Sequence, residues 1–398
     1  MKWASPIILA RALYGAAWST FLGLDETRYN AGMLLGSSIM RSILAPLLVA
    51  LGLGVVGAVI GTVAAQISAG ICFAFLAVRL LRRVGGPSRV GWSPGERLVT
   101  MLRYGVPLAI AGMAAAGLSS YYSLMISRFC PEGVVGDYSV AVKFTVLITV
   151  FSLPIHTVLF PAFSKLKAES DVEELRVLFR YAVKYTSLMV VPVATGVIAA
   201  SRDIVWSILP RYRRAPWFLS LNAILYLYIG FGFLAIRSFL SGQGDTKVVT
   251  RLNLAALTVG ALLGALMIPS YGVEGVILTN LVASAIPVAY GLWHLRRRYG
   301  VGPELSSGAR IYAASAVTAA VIYALSMADL HGRQRLVLEV CGGAACYFLV
   351  APMIGAIDED DVENLRELSA RLGPLQGVAS RVLDLISYVF RLTHQPGP

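Results

Sequence analysis

The sequence predicts an all-α, polytopic membrane protein of about eleven transmembrane helices, built as two pseudo-repeated lobes of which the first is incomplete. Three observations predict it. Hydrophobic residues make up 57% of the 398 and charged residues only 14%, against about 25% charged in soluble domains. The apolar residues come in runs of roughly twenty, the length that crosses a bilayer, without the period-two alternation of a barrel strand. Four landmarks also occur twice in the same order. Phe21-Leu22, Glu26-Thr27-Arg28, Gly54-Val55-Val56-Gly57 and Arg82-Arg83-Val84-Gly85 match Phe239-Leu240, Asp245-Thr246-Lys247, Gly272-Val273-Glu274-Gly275 and Arg297-Arg298-Tyr299-Gly300. An apolar module used twice points to a transporter with two related halves.

The expected spans are 5–23, 31–52, 55–79, 104–127, 138–161, 183–200, 216–238, 251–269, 274–295, 310–328 and 336–356, read from apolar length and flanking charge. The first carries Arg11 inside it, and the sixth is short, its start running back toward the charged loop before it. The arginines orient the set. Arg79, Arg82, Arg83, Arg89, Arg97 and Arg103 crowd the loop 79–103, which the positive-inside rule makes cytoplasmic. Alternation then places 162–183, 239–250, 296–309 and the tail inside. The loop with Arg211, Arg213 and Arg214 falls outside, against the rule.

The same alternation puts Met1 outside. In the second lobe three spans, 104–200, precede the one corresponding to 5–23, so the first lobe should own three more, about 100 residues, upstream of Met1. The expected organisation is a partial first lobe at 1–85, a second lobe of six spans at 103–298, an additional helix pair at 310–356 and a cytoplasmic amphipathic tail at 357–398. In that tail Asp358-Glu359-Asp360-Asp361 suits a helix start, and Val362, Leu365, Leu368 and Leu372 follow at helical spacing. Residues 376–392 repeat an apolar face suited either to the inner leaflet or to packing on cytoplasmic loops.

A net charge of +12 would suggest nucleic acid in a soluble protein. In a polytopic one it belongs to cytoplasmic loops and anionic headgroups, so no nucleic-acid partner is expected. Cys72, Cys130, Cys341 and Cys346 show no metal-ligand spacing, the four histidines are scattered, and no cofactor or metal is expected. No nucleophile elbow or Walker motif is present, which excludes a self-contained ATP-driven pump and leaves no enzyme reading.

Charges inside spans carry the chemistry. Arg41 lies near the middle of 31–52, where a cation costs about 2.5–3.5 kcal/mol, so it should face a cavity or a partner. Arg11 is similarly placed in 5–23, and Lys143 sits inside 138–161. Together they are the candidate substrate-binding residues, a basic cavity for an anionic group such as a pyrophosphate. Lys143 has the alternative of reaching to the outer interface, which is also the reading of Arg128 and Arg237. His156 reads as interfacial, and Tyr121-Tyr122 as packing between helices. Asp245 and Glu26 read as turn and capping residues, and the Gly-x-x-Gly pairs as tight turns between close helices.

The chain resembles the polysaccharide-biosynthesis proteins of the multidrug, oligosaccharidyl-lipid and polysaccharide exporter superfamily. Arg103-Tyr104-Gly105-Val106-Pro107, Val135-Gly136-Asp137-Tyr138-Ser139-Val140-Ala141 and Phe160-Pro161-Ala162-Phe163-Ser164 carry the resemblance, with Gly244-Asp245-Thr246-Lys247 and Pro269-Ser270-Tyr271-Gly272-Val273-Glu274-Gly275. It implies a flippase that moves a lipid-linked oligosaccharide across the cytoplasmic membrane by alternating access between two six-helix lobes. The partners implied are a lipid-linked glycan and membrane lipids. One rival is a cation-coupled drug exporter of the same superfamily, which would need buried carboxylates in the first lobe. Another is a non-transporting scaffold, whose partners would be glycan-assembly enzymes.

Overall fold

The apolar runs become helices, as a chain with lipid for solvent requires. A computed structural model describes residues 5–24, 26–84, 93–168, 170–330, 332–358, 361–363 and 366. The helices are α1 (Ser5–Gly23), α2 (Thr27–Leu48), α3 (Gly54–Val84), α4 (Pro94–Phe129), α5 (Glu132–Phe144), α6 (Val146–Lys165), α7 (Val172–Trp206), α8 (Ala215–Ile224), α9 (Phe233–Gly242), α10 (Thr246–Tyr299), α11 (Leu305–Leu325) and α12 (Gly332–Met353). No strand occurs among the described residues. Each expected span has most of its length in helix, although 310–328 and 336–356 run past the ends of α11 and α12. By length and hydropathy, eight described helices can cross a membrane, or nine when α8 and α9 count as one bent span. That count takes α10 once, although Gly272 divides it into two arms, and it leaves out α1.

Met1–Met101 and Leu102–Pro398 form two compact units. In the first, Ala17, Phe21, Met33 and Ala77 make a small core where α1, α2 and α3 meet. The π-helical stretch Val49–Leu53 ends α2 and leads into α3. Gly54 has φ 52° and ψ −138° there, a backbone open only to glycine. In the second unit Gly272 repeats that conformation, φ 56° and ψ −126°, between the arms of α10. Three residues on, glycine is required for a different reason. A Cβ at Gly57 would lie 2.8 Å from the Leu48 carbonyl oxygen, and one at Gly275 would lie 2.5 Å from that of Met267. The repeated Gly-x-x-Gly thus makes the same pair of glycine contacts twice, although the first apex adds Gly52 at φ 90° and a π-helical stretch that the second lacks.

The second unit is held by close packing, which binds helices where lipid offers no hydrophobic contrast. Phe163, Phe179 and Phe239 are fully buried, with ring centroids 5.3–6.3 Å apart. Tyr121 and Tyr122 pack on the glycine face of α10, where a Cβ at Gly260 or Gly264 would meet their rings. The Tyr121 hydroxyl donates to the Ala261 carbonyl at 3.0 Å. The expected span 216–238 is broken. After α8 the chain runs as a 3-10 helix, Leu225–Phe231, and Gly232 at φ 86° starts α9 at a bend of 51°. A break at membrane depth frees backbone groups that must find partners. Tyr312 of α11 donates to the Leu227 carbonyl. The expected span 138–161 is also interrupted, at Thr145 between α5 and α6.

After α12, Asp358 and Asp361 bind Lys184 of α7 at 2.9 and 2.6 Å, and the Asp361 carboxylate accepts the Asp358 N–H at 2.8 Å. Asp358 and Asp361 thereby tie the segment after α12 to α7. Leu365, Leu368, Leu372 and the amphipathic stretch 376–392 lie outside the described residues.

Candidate functional site

Arg11 projects from α1 and Arg41 from α2, both exposed on the first unit. Arg41 is the only charged residue between Arg28 and Arg79, and its neighbours Ile39, Met40 and Ile43 are exposed as well. Lys143 belongs to the second unit. It is exposed in the last turn of α5, two residues before the break at Thr145, where a cation complements the helix C-terminus.

A further cation emerges in the second unit. Arg237, expected to reach for the interface, follows the bend at Gly232 and donates from Nη2 to Asn253 Oδ1 at 2.8 Å. Asn253 is buried and gives its own amide to the Val249 carbonyl at 2.8 Å. A cavity of about 20 Å³, lined by Phe233, Ile236, Leu252 and Pro287, adjoins the pair. Reading Arg237 from its place at the end of an apolar run missed this partner; Asn253, a polar side chain inside the next run, was the available signal. A second concavity of about 630 Å³ lies along α10 at Leu292, Trp293, Arg296 and Arg297. There the Arg297 guanidinium sits 5.3 Å from the centre of the Trp293 ring, the aromatic–basic pairing of a membrane interface.

The motif residues resolve into joints. Tyr104, in the third turn of α4, donates to the Ser241 carbonyl at 2.9 Å, binding α4 to the end of α9. Gln243 donates to the Phe163 and Leu166 carbonyls at 2.7 and 2.9 Å and accepts from the Ala168 N–H at 3.1 Å. It thereby satisfies the carbonyls that the end of α6 leaves free. Asp245 occupies the position before α10 but makes no capping bond. Its carboxylate instead accepts the Tyr299 hydroxyl at 2.5 Å and lies 3.5 Å from His294 Nε2 and 3.6 Å from Arg298. Glu26, at the matching position, also makes no capping bond. It pairs with Arg28 at 2.7 and 3.0 Å. The capping expectation is corrected at both sites: long partners within reach compete successfully for each carboxylate.

His156 keeps its place in α6, and its side chain is outside the described set. No group of three or more His, Cys, Asp or Glu arranged to hold a metal occurs among the described residues. The sequence reading passed over two carboxyl groups that the fold buries, Asp203 in α7 and Glu339 in α12.

Residues 30–211 match the model of a family described as polysaccharide biosynthesis protein. No curated protein matches the chain. Among solved structures, the lipid II flippase MurJ in an inward closed conformation superposes with a TM-score of 0.66 at 16% identity, covering 88% of this chain and 72% of that one. The family match spans residues 30–211, a little under half of the chain, and the superposition shows a shared polytopic helical membrane fold.

Proposed function

We propose that this protein moves a lipid-linked oligosaccharide or polysaccharide precursor across the cytoplasmic membrane by alternating access. The family match over 30–211 is the observation that carries the reading, and the likeness of fold to a lipid II flippase supports it. The glycan phosphate is the group that most needs protein, because its charge cannot cross hydrocarbon unaided. Arg41, Arg11 and Lys143 would meet it, with the lipid tail left in the bilayer. Arg41 is the strongest of the three. It is a solitary cation in a long apolar helix, and facing lipid there is costly. The lobes at 1–85 and 103–298, the helix pair 310–356 and a cytoplasmic tail at 357–398 are the functional divisions of this reading.

The test is reconstitution of the full chain into vesicles with a fluorescent lipid-linked oligosaccharide, reading its transfer between leaflets. Transfer above that of empty vesicles is expected. Arg41→Gln should slow it about tenfold, the worth of one charge-assisted contact. No transfer by a folded chain would remove the flippase reading in favour of a scaffold for glycan assembly.

A further inference from the structure

The end of α7 and the start of α12 bring two carboxyl groups against one guanidinium. Asp203 is 4% exposed and Glu339 is completely buried. Arg335, one turn before Glu339, donates to Asp203 Oδ1 from Nε at 3.0 Å and from Nη2. Asp203 and Arg335 therefore cancel. Glu339 lies beside the Asp203 carboxyl, yet neither of its oxygens receives a hydrogen bond from any described group.

An ionised carboxylate with no donor, buried beside a second carboxylate, costs several kcal/mol. A neutral Glu339 escapes that cost because its O–H can donate to Asp203. Arg335 lies close enough to favour a charged Glu339, but the hydrogen bonds it shows go to Asp203, and the other groups around offer no donor. On α7 the acidic partner is Asp203 itself, already bound to Arg335, while Arg202 lies over the Trp206 ring at 4.7 Å. The one charged residue in α11, Arg310, donates to the Gly355 carbonyl. Asp329, in the connection from α11 to α12, acts on Arg335. Ala200 and Ile204 of α7 and Ile322 of α11 belong to the apolar core along this seam. A metal cation fits poorly, since hard cations take about six oxygen ligands and a guanidinium already occupies the positive position.

We propose that Glu339 is a proton-binding site: it holds a proton donated to Asp203 while α12 is packed on α7, and releases it to water when that contact opens. The proton leaves the Glu339 carboxyl as the O–H bond breaks, and the carboxylate left behind repels Asp203. The packed arrangement is thereby favoured by protonation and weakened by its loss. Set in the flippase, and resting on that reading, the site would let a proton bias the helix pair α11–α12 relative to α7.

Infrared difference spectroscopy of the full chain in lipid nanodiscs tests it without any substrate. At neutral pH an ordinary glutamate, with a pKa of about 4.3, is protonated in about one molecule in 500. The wild-type protein should show a protonated-carboxyl band at neutral pH, moved by isotopic labelling of glutamate and missing from Glu339→Gln. Thermal unfolding from about pH 6 to about pH 9 should show wild-type stability falling as pH rises, because the folded state binds the extra proton; Glu339→Gln should be flat. No band, a band that glutamate labelling leaves unmoved, or equal pH slopes would overturn the proposal. The labelling arm needs no variant, so it stands even if Glu339→Gln fails to fold. A chain with the band that moves no lipid-linked sugar would overturn the flippase reading and leave the proton site intact.

Discussion

The hairpin of α2 and α3 and the hairpin formed by the two arms of α10 share an apex and differ at their open ends. Both turn on a glycine in the same backbone state, Gly54 and Gly272. Both bring a second glycine, Gly57 and Gly275, into contact with the backbone of the opposing arm. At the open end of the α10 hairpin, Asp245 reaches across to Tyr299 and Arg298. At the open end of the other, Glu26 turns to Arg28 two residues away, and the position matching Tyr299 is Val84, which has no hydroxyl to donate. The two glycine positions of the apex admit one residue type for steric reasons, so that pair is the same in both copies. The open end tolerates several ways of satisfying a carboxylate, and the two copies use different ones.

The largest effects should fall on what the hairpins share. Gly57→Ala and Gly275→Ala each drive a methyl to within 3 Å of a carbonyl that cannot move away, and each should cost about 3 kcal/mol, the upper range for overpacking. Thermal unfolding in detergent or nanodiscs reads the loss. Similar losses would establish that the apex works identically in both copies. A large loss at Gly275 with none at Gly57 would break the comparison and show that only the α10 apex is closed in the membrane.

What was legible in the sequence follows the same division. The glycine pairs could be read because a backbone geometry that only glycine permits leaves its mark on a single residue type. The pairing of Tyr121 and Tyr122 with a neighbouring helix followed from their place in an apolar span. The partners of Asp245 could not be read, because Tyr299 comes 54 positions later and only the closed hairpin brings it within 2.5 Å. Arg335 and Asp203 are 132 positions apart, and nothing local in either helix announces the other. Glu339 could have been noticed as a carboxylate in an apolar run, the counterpart of the argument made for Arg41. The breaks at Thr145 and Gly232 escaped because mean hydropathy is the same for a straight span and a bent one.

An intermediate effect is expected where the hairpins differ. Tyr299→Phe removes the hydroxyl that Asp245 accepts and should cost about 1.5 kcal/mol, the low end for a hydrogen bond to a charged group. Arg298 and His294 remain near the carboxylate and limit the loss. Hydrogen exchange at the first turn of α10 should quicken with it, since the staple joins that turn to the end of the second arm.

The smallest effect belongs to the other open end. Glu26 and Arg28 are neighbours in the chain, and the Arg28 side chain is 71% exposed. An ion pair of this kind gains little because water screens it and two side chains must be held still. Arg28→Gln should therefore leave thermal stability unchanged within error. A loss as large as that of Tyr299→Phe would mean that Arg28 holds something beyond Glu26, and the contrast between a stapled and an unstapled hairpin would fail at its weaker member.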